Sequence, residues 1–188
     1  MLDPLNLFRL DGRVVIVTGA SSGLGERFAR VCDAAGALVV VAARRLDRLE
    51  SLVAELRDGL AVEADFSSDE AAPAVVDATL ERFGAIDVVV NNAGMLRTVQ
   101  PHEDTAAGFR DELQVDLVAP YDLALRSAAW MIENERSGSI VNIASVLGLV
   151  GGGRLGVPGY AAAKGALVHL TRDLASNWAR FGIRVNAI

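Results

Sequence analysis

The chain has 188 residues, 52% of them hydrophobic, with 18 basic against 24 acidic residues and a formal net charge of −6. That length supports one domain, spanning residues 1–188, with a sizeable core, and the acidic balance without a Lys or Arg cluster excludes a phosphate-tracking surface, so no nucleic acid is expected. No run approaches the roughly 18 apolar residues of a membrane span, the start "MLDPLNLFRLDGR" has no basic segment leading an apolar one, Cys32 stands alone, and His102 and His169 fit no metal-ligand spacing. The expectation is a soluble, cytoplasmic protein with no membrane partner, disulfide or metal.

The first apolar run is Val14 to Thr18, and its continuous apolarity predicts a strand buried on both faces, as in a parallel sheet. It leads into "TGASSGLG", Thr18 to Gly25, and a helical stretch, "ERFARVCDAAG". Glycines at 19, 23 and 25 permit a tight turn that brings backbone amides to a pyrophosphate at a helix N-terminus. Among 18 glycines this spacing is weak by itself, and the strand-turn-helix context strengthens it. Ala37 to Ala43 is the second strand. At its end an NAD site needs a carboxylate for the ribose 2′-hydroxyl and an NADP site a cation for the 2′-phosphate. The chain reads "AARR" there, with no acid until Asp47. Arg44, with Arg45 in support, therefore predicts NADP, unless both are solvated loop residues.

Leu46 to Leu56 reads as a helix with Leu46, Leu49, Leu52, Val53 and Leu56 on one stripe. Leu60 to Asp65 is the third strand, after which Ser67 and Glu70 have capping-box spacing and Pro73 falls in the first turn of the next helix. The fourth strand, Ile86 to Asn91, opens into "NNAG". Asp65 and these amides stand at strand ends, where such groups bond an adenine or tie neighbouring loops together. Ser139 to Ser145 is the fifth strand, and Ser145 reads either as a group that steadies a substrate carbonyl or as a turn residue. A glycine-rich loop, a long helix from Tyr160 to about Phe181 and a sixth strand, Ile183 to Ile188, complete the chain. This alternation predicts an α/β fold with a doubly wound parallel sheet, Rossmann-like, and ligands at the carboxyl ends of its strands.

Lys164 is the single lysine beside 17 arginines, and it stands four residues after Tyr160, one of two tyrosines. Residues so spaced share a helix face one turn apart. A phenol ordinarily ionises near pH ~10, and a neighbouring ammonium favours its phenolate, which makes Tyr160 a candidate general acid/base. Lysine is also a compact point donor, which a planar guanidinium is not.

Together "TGASSGLG", "NNAG", the serine of "GSIVNIAS" and "YAAAK" resemble the short-chain dehydrogenase/reductase family over nearly the whole chain. The resemblance implies hydride transfer between a nicotinamide dinucleotide and a ketone or secondary alcohol; with Arg44 and Arg45 the expected cofactor is NADP(H), with NAD less favoured. It implies that Tyr160 exchanges the proton, that Lys164 binds the nicotinamide ribose and assists Tyr160, and that Ser145 positions the carbonyl. The implied cofactor site comprises Gly19, Ser21, Ser22, Gly23, Leu24, Gly25, Asp65, Phe66, Asn92, Ala93 and Gly94, with Tyr160 and Lys164. Family members work as dimers or tetramers, so a homodimer or homotetramer is expected, its long helices packed around Trp130 and Trp178 unless those are core.

Two departures stand out. Asp116 occupies the place of an asparagine that is usually a fourth catalytic residue, and its charge should alter the pH profile. The chain also stops inside the sixth strand, where family chains continue with a lid, another helix and a seventh strand, so a longer natural chain is expected. A cofactor-binding sensor or scaffold with little catalysis is the alternative reading.

Overall fold

The computed structural model describes residues 4–188; residues 1–3, the beginning of the N-terminal stretch read above, lie outside them. A 3-10 turn at Pro4–Phe8 precedes β1 (Val14–Thr18), α1 (Gly23–Ala34), β2 (Leu38–Ala43), α2 (Leu46–Val53), β3 (Gly59–Glu63), α3 (Ala71–Phe83) and β4 (Val88–Asn91). Then come α4 (Ala106–Leu113), a π-helical turn (Gln114–Val118), α5 (Ala119–Glu133), β5 (Gly138–Asn142), α6 (Pro158–Trp178) and β6 (Ile183–Ala187). The described strands form one parallel sheet in the order β3-β2-β1-β4-β5-β6. The order reverses between β1 and β4, which opens a crevice at their carboxyl ends.

Strand side chains alternate between two buried layers. Val14 and Ile16 join Val40, Val89, Leu123 and Ile140 beneath α3, α5 and α6, while Val15 and Val17 join Val39, Val41 and Leu49 beneath α1 and α2. Both faces of β1 are thus covered, which is why its run has no polar break. One polar chain crosses the first layer. Asn91 Nδ2 donates to Asn142 Oδ1 at 2.9 Å and to the Pro120 carbonyl at 3.0 Å; Asn142 Nδ2 donates to Thr171 Oγ1 at 2.9 Å, and that hydroxyl donates to the Leu167 carbonyl at 2.8 Å.

The structure departs from the sequence expectations at several points. β5 ends at Asn142, three residues before Ser145. Its neighbours run out: Ile143 N–H takes the Asn91 carbonyl at the end of β4, Ala144 N–H takes that of Ile188, and Ser145 turns away into a 3-10 turn at Val146–Gly148. The helix expected to reach Leu56 ends at Val53, and the chain tightens there, with Leu56 N–H on the Val53 carbonyl. No capping box forms at α3. The Ser67 hydroxyl donates to Asp65 instead, and Ser68 Oγ accepts the Glu70 N–H. Trp130 and Trp178 pack against the first core layer, so the exposed stripe is not at the tryptophans; it consists of Val118, Tyr121 and Leu125.

Candidate active site

The two strand ends flanking the crevice are bound to each other. Thr18 Oγ1 accepts the N–H groups of Asn92 and Ala93, each at 2.9 Å, and Asn92 Nδ2 donates to the Thr18 carbonyl at 2.8 Å. Asn92 therefore ties loops together with its side chain, the second of the two roles its position allowed. Gly19 has φ +67°, and a Cβ there would stand 2.8 Å from Ala93 Cα, so only glycine permits this approach. Ser22, extended, precedes α1 without a side-chain cap, which leaves the first amides of that helix, at Gly23, Leu24 and Gly25, for a ligand. The Leu24 side chain is 62% exposed and does not line the cleft.

Above this seam lies a cleft of about 360 Å³. Of the residues expected around a cofactor, Gly19, Ser21, Ser22, Arg44, Arg45, Asp65, Phe66, Asn92, Ala93 and Gly94 line it, whereas Gly23, Leu24, Gly25, Tyr160 and Lys164 do not. Ala43, Ala64, Ser67, Met95 and Val115 also line it, and sequence reasoning missed them. Thr18 was missed as well, although a hydroxyl ending the strand directly before the glycine turn was a usable signal. Arg45 reaches back to the glycine turn. Its Nε and Nη2 donate to Ser21 Oγ at 3.1 and 2.8 Å, and Nη2 donates to Ser22 Oγ at 2.7 Å. Arg44 is exposed beside Asp65, whose carboxyl lies below its ordinary range because the Ser67 amide and hydroxyl both donate to it, with Arg44 adding a weaker pull.

At the inner end of the cleft the long helix meets the π turn. Lys164 and Asp116 are both buried, and the ammonium stands 3.1 Å from Asp116 Oδ1, a charge contact rather than an aligned hydrogen bond. Lys164 Nζ donates to the Ile143 carbonyl at 2.9 Å and lies 5.5 Å from the centre of the Tyr160 ring. Asp116 Oδ2 accepts the Met95 N–H at 3.0 Å. Burial pushes the Asp116 carboxyl above its ordinary range; Lys164 and the Met95 amide pull the other way without cancelling it. The π turn has a local cause. Pro120 lacks the N–H that would reach back to the Asp116 carbonyl, so the helix widens and Ala119 N–H bonds to Gln114 instead.

Ser145 sits at the head of the 3-10 turn that packs on α6, with Gly148 against the Lys164 backbone. Its Oγ accepts the Leu147 N–H at 3.2 Å, which leaves the hydroxyl proton free to donate. A dinucleotide suits these features: backbone bared at Gly19, uncapped amides at α1, guanidinium and hydroxyl groups at one end of the cleft, and Gly94 beside Lys164 at the other. Among the described residues, no group of three or more His, Cys, Asp or Glu is placed to hold a metal, and no helix is long and apolar enough to cross a membrane.

A parallel sheet ordered 3-2-1-4-5-6, with a glycine turn at its switch point, defines a Rossmann-type α/β protein. A family model described as short chain dehydrogenase matches residues 13–188, and the chain belongs to that family. It is 40% identical over 181 residues to the L-fucose dehydrogenase of Oryctolagus cuniculus, covering 96% of this chain and 62% of that protein. It is also 40% identical over 187 residues to the levodione reductase of Leifsonia aquatica, covering 96% and 69%. The crystal structure of a short-chain type dehydrogenase/reductase from Mycobacterium marinum superposes with a TM-score of 0.93 at 30% identity, covering 97% of this chain and 74% of that one. The chain thus spans about two thirds of the length of these relatives.

Proposed function

We propose that the protein is an oxidoreductase that prefers NADP(H) and interconverts a ketone and a secondary alcohol. The observation that carries this reading is the buried Lys164 ammonium, set beside Gly94 of the cleft and 5.5 Å from the Tyr160 ring. Tyr160 Oη gives its proton to the carbonyl oxygen in reduction and takes it back in oxidation. Ser145 donates a hydrogen bond from its free hydroxyl to the same oxygen, keeping its own proton, and holds that oxygen for attack. Of the three N–H groups of Lys164, one is held by Ile143 and another faces Asp116, which leaves the third for a ribose hydroxyl. Asp116 anchors the lysine and, through Met95, the turn at Gly94. When bound, the nicotinamide supplies or receives the hydride.

Cofactor choice is assigned to Arg44 and Arg45. A 2′-phosphate would join Arg45, Ser21 and Ser22 in one charge-assisted set. Arg44→Glu and Arg45→Glu should each weaken NADPH binding by roughly tenfold or more while changing NADH binding far less. Fluorescence titration reads both, and equal losses would remove the assignment.

Turnover is tested with purified protein, NADPH and NADH, and a panel of ketones and alcohols that includes levodione and L-fucose. Nicotinamide absorbance should change with at least one member, faster with the phosphorylated cofactor. Tight cofactor binding without turnover across the panel would favour a sensor or scaffold. For the homodimer or homotetramer, the contact surface proposed is the apolar groove between the π turn with α5 and α6, lined by Leu117, Val118, Tyr121, Ala166, His169 and Leu170.

A further inference from the structure

Glu112, on α4, is a fully buried acid outside the cleft. Its Oε1 accepts the Arg97 N–H at 2.9 Å. Its Oε2 has no hydrogen-bond partner among the described residues, and Arg97 Nη1, which is also 3.4 Å from Asp104, stands 3.8 Å away. The bare oxygen abuts Gly159, the residue before Tyr160: a Cβ on Gly159 would overlap Oε2 and lie 3.0 Å from the carboxyl carbon. One turn further along, Asp116 repeats the pattern, with one oxygen on the Met95 N–H and the other toward α6. Val99 N–H then donates to the Gly156 carbonyl at 2.7 Å, just before α6 begins. The alternate amides 95, 97 and 99 of one segment outside the helices and strands are thus held by three acceptors from two sides of the site. Two of those acceptors are buried carboxylates. This segment starts in the cleft at Met95 and ends beside the approach to Tyr160.

We propose that Glu112 is a positioning residue that sets the spacing between the segment Met95–Val99 and the first turn of α6, so that this wall of the substrate side and Tyr160 hold one fixed separation. The middle amide depends on it, and the contact with Gly159 transmits its position to α6. The substrate-side role rests on the oxidoreductase reading above; the spacing does not.

Amide hydrogen exchange over residues 95–99, read without substrate or cofactor, separates the two. In Glu112→Ala the Arg97 amide should exchange about tenfold faster or more, while the amides of β1 keep their rates. Glu112→Gln retains a carbonyl oxygen for that amide and should stay within about twofold of the natural protein. Gly159→Ala, which drives a methyl group into Oε2, should also speed exchange at Arg97, and should add nothing in a Glu112→Ala background. Additive effects of the two changes, uniform acceleration that includes β1, or Glu112→Gln behaving like Glu112→Ala would each overturn the proposal. With the best substrate of the panel, Glu112→Ala should raise KM more than it lowers kcat, with Glu112→Gln restoring both. A panel without turnover would sink the oxidoreductase reading and leave the exchange result standing.

Discussion

Tyr160→Phe is expected to lower turnover by about a thousandfold, the scale of a lost general acid/base, and to leave cofactor affinity nearly unchanged. The substitution removes one oxygen. The ring stays in its place 5.5 Å from Lys164, and neither the Arg45 and Ser21 contacts nor the Thr18 and Asn92 seam is touched. Steady-state rates in both directions and a cofactor titration on the same preparation decide the matter. Retained turnover would require another proton donor, and lost cofactor binding would mean that the phenol serves structure instead.

Lys164→Met should cost about 3 kcal/mol of stability at neutral pH, because it leaves the Asp116 carboxylate buried without the cation beside it. The pH dependence has a definite sign. Folded Asp116 keeps its proton to higher pH than the unfolded chain does, so between those two points the native state binds the more protons. Its contribution is greatest on the acid side and is lost as pH rises from the ordinary aspartate value through the raised one. Without the ammonium the carboxyl moves further up, and this decline should deepen. Asp116→Asn should flatten the decline, and combined with Lys164→Met it should recover most of the lost stability, since two neutral groups then face each other. Urea unfolding across a pH series reads all three variants. If Asp116→Asn also leaves the pH-rate profile of turnover untouched, the aspartate has no part in proton exchange.

Much of this arrangement was readable where one physical demand dominates a stretch. β1 begins and ends where its apolar run does, since a strand covered on both faces tolerates no polar interruption. Tyr160 and Lys164 share a helix face because helical spacing admits little else. Other features depend on neighbours that a linear reading lacks. "SIVNIAS" continues as an apolar run past Asn142, but β4 has already turned away, its next amides taken by Thr18. Arg44 and Arg45 are chemically identical in the sequence, and only the path of the chain after β2 turns the second toward the serines. Glu112 looks like any acid on a charged helix; burial and the bare Gly159 set it apart. The π turn stayed hidden because the proline that provokes it also reads as an ordinary early residue of α5.

The chain of amides from Asn91 through Asn142 to Thr171 bears on which assemblies the polypeptide can adopt at all. Valine and isoleucine strands are nearly interchangeable partners, and shape alone discriminates poorly among them. Each asparagine here has one orientation that satisfies its neighbours, and a one-residue slip of β5 would carry Asn142 to the opposite face and strand the Asn91 amide in an apolar layer. The same amide reads the seating of α6 through Thr171. The sheet therefore carries a key cut at three places, β4, β5 and α6, and mispaired versions of the fold are rejected by thirst for a missing hydrogen bond more than by any gap in their packing.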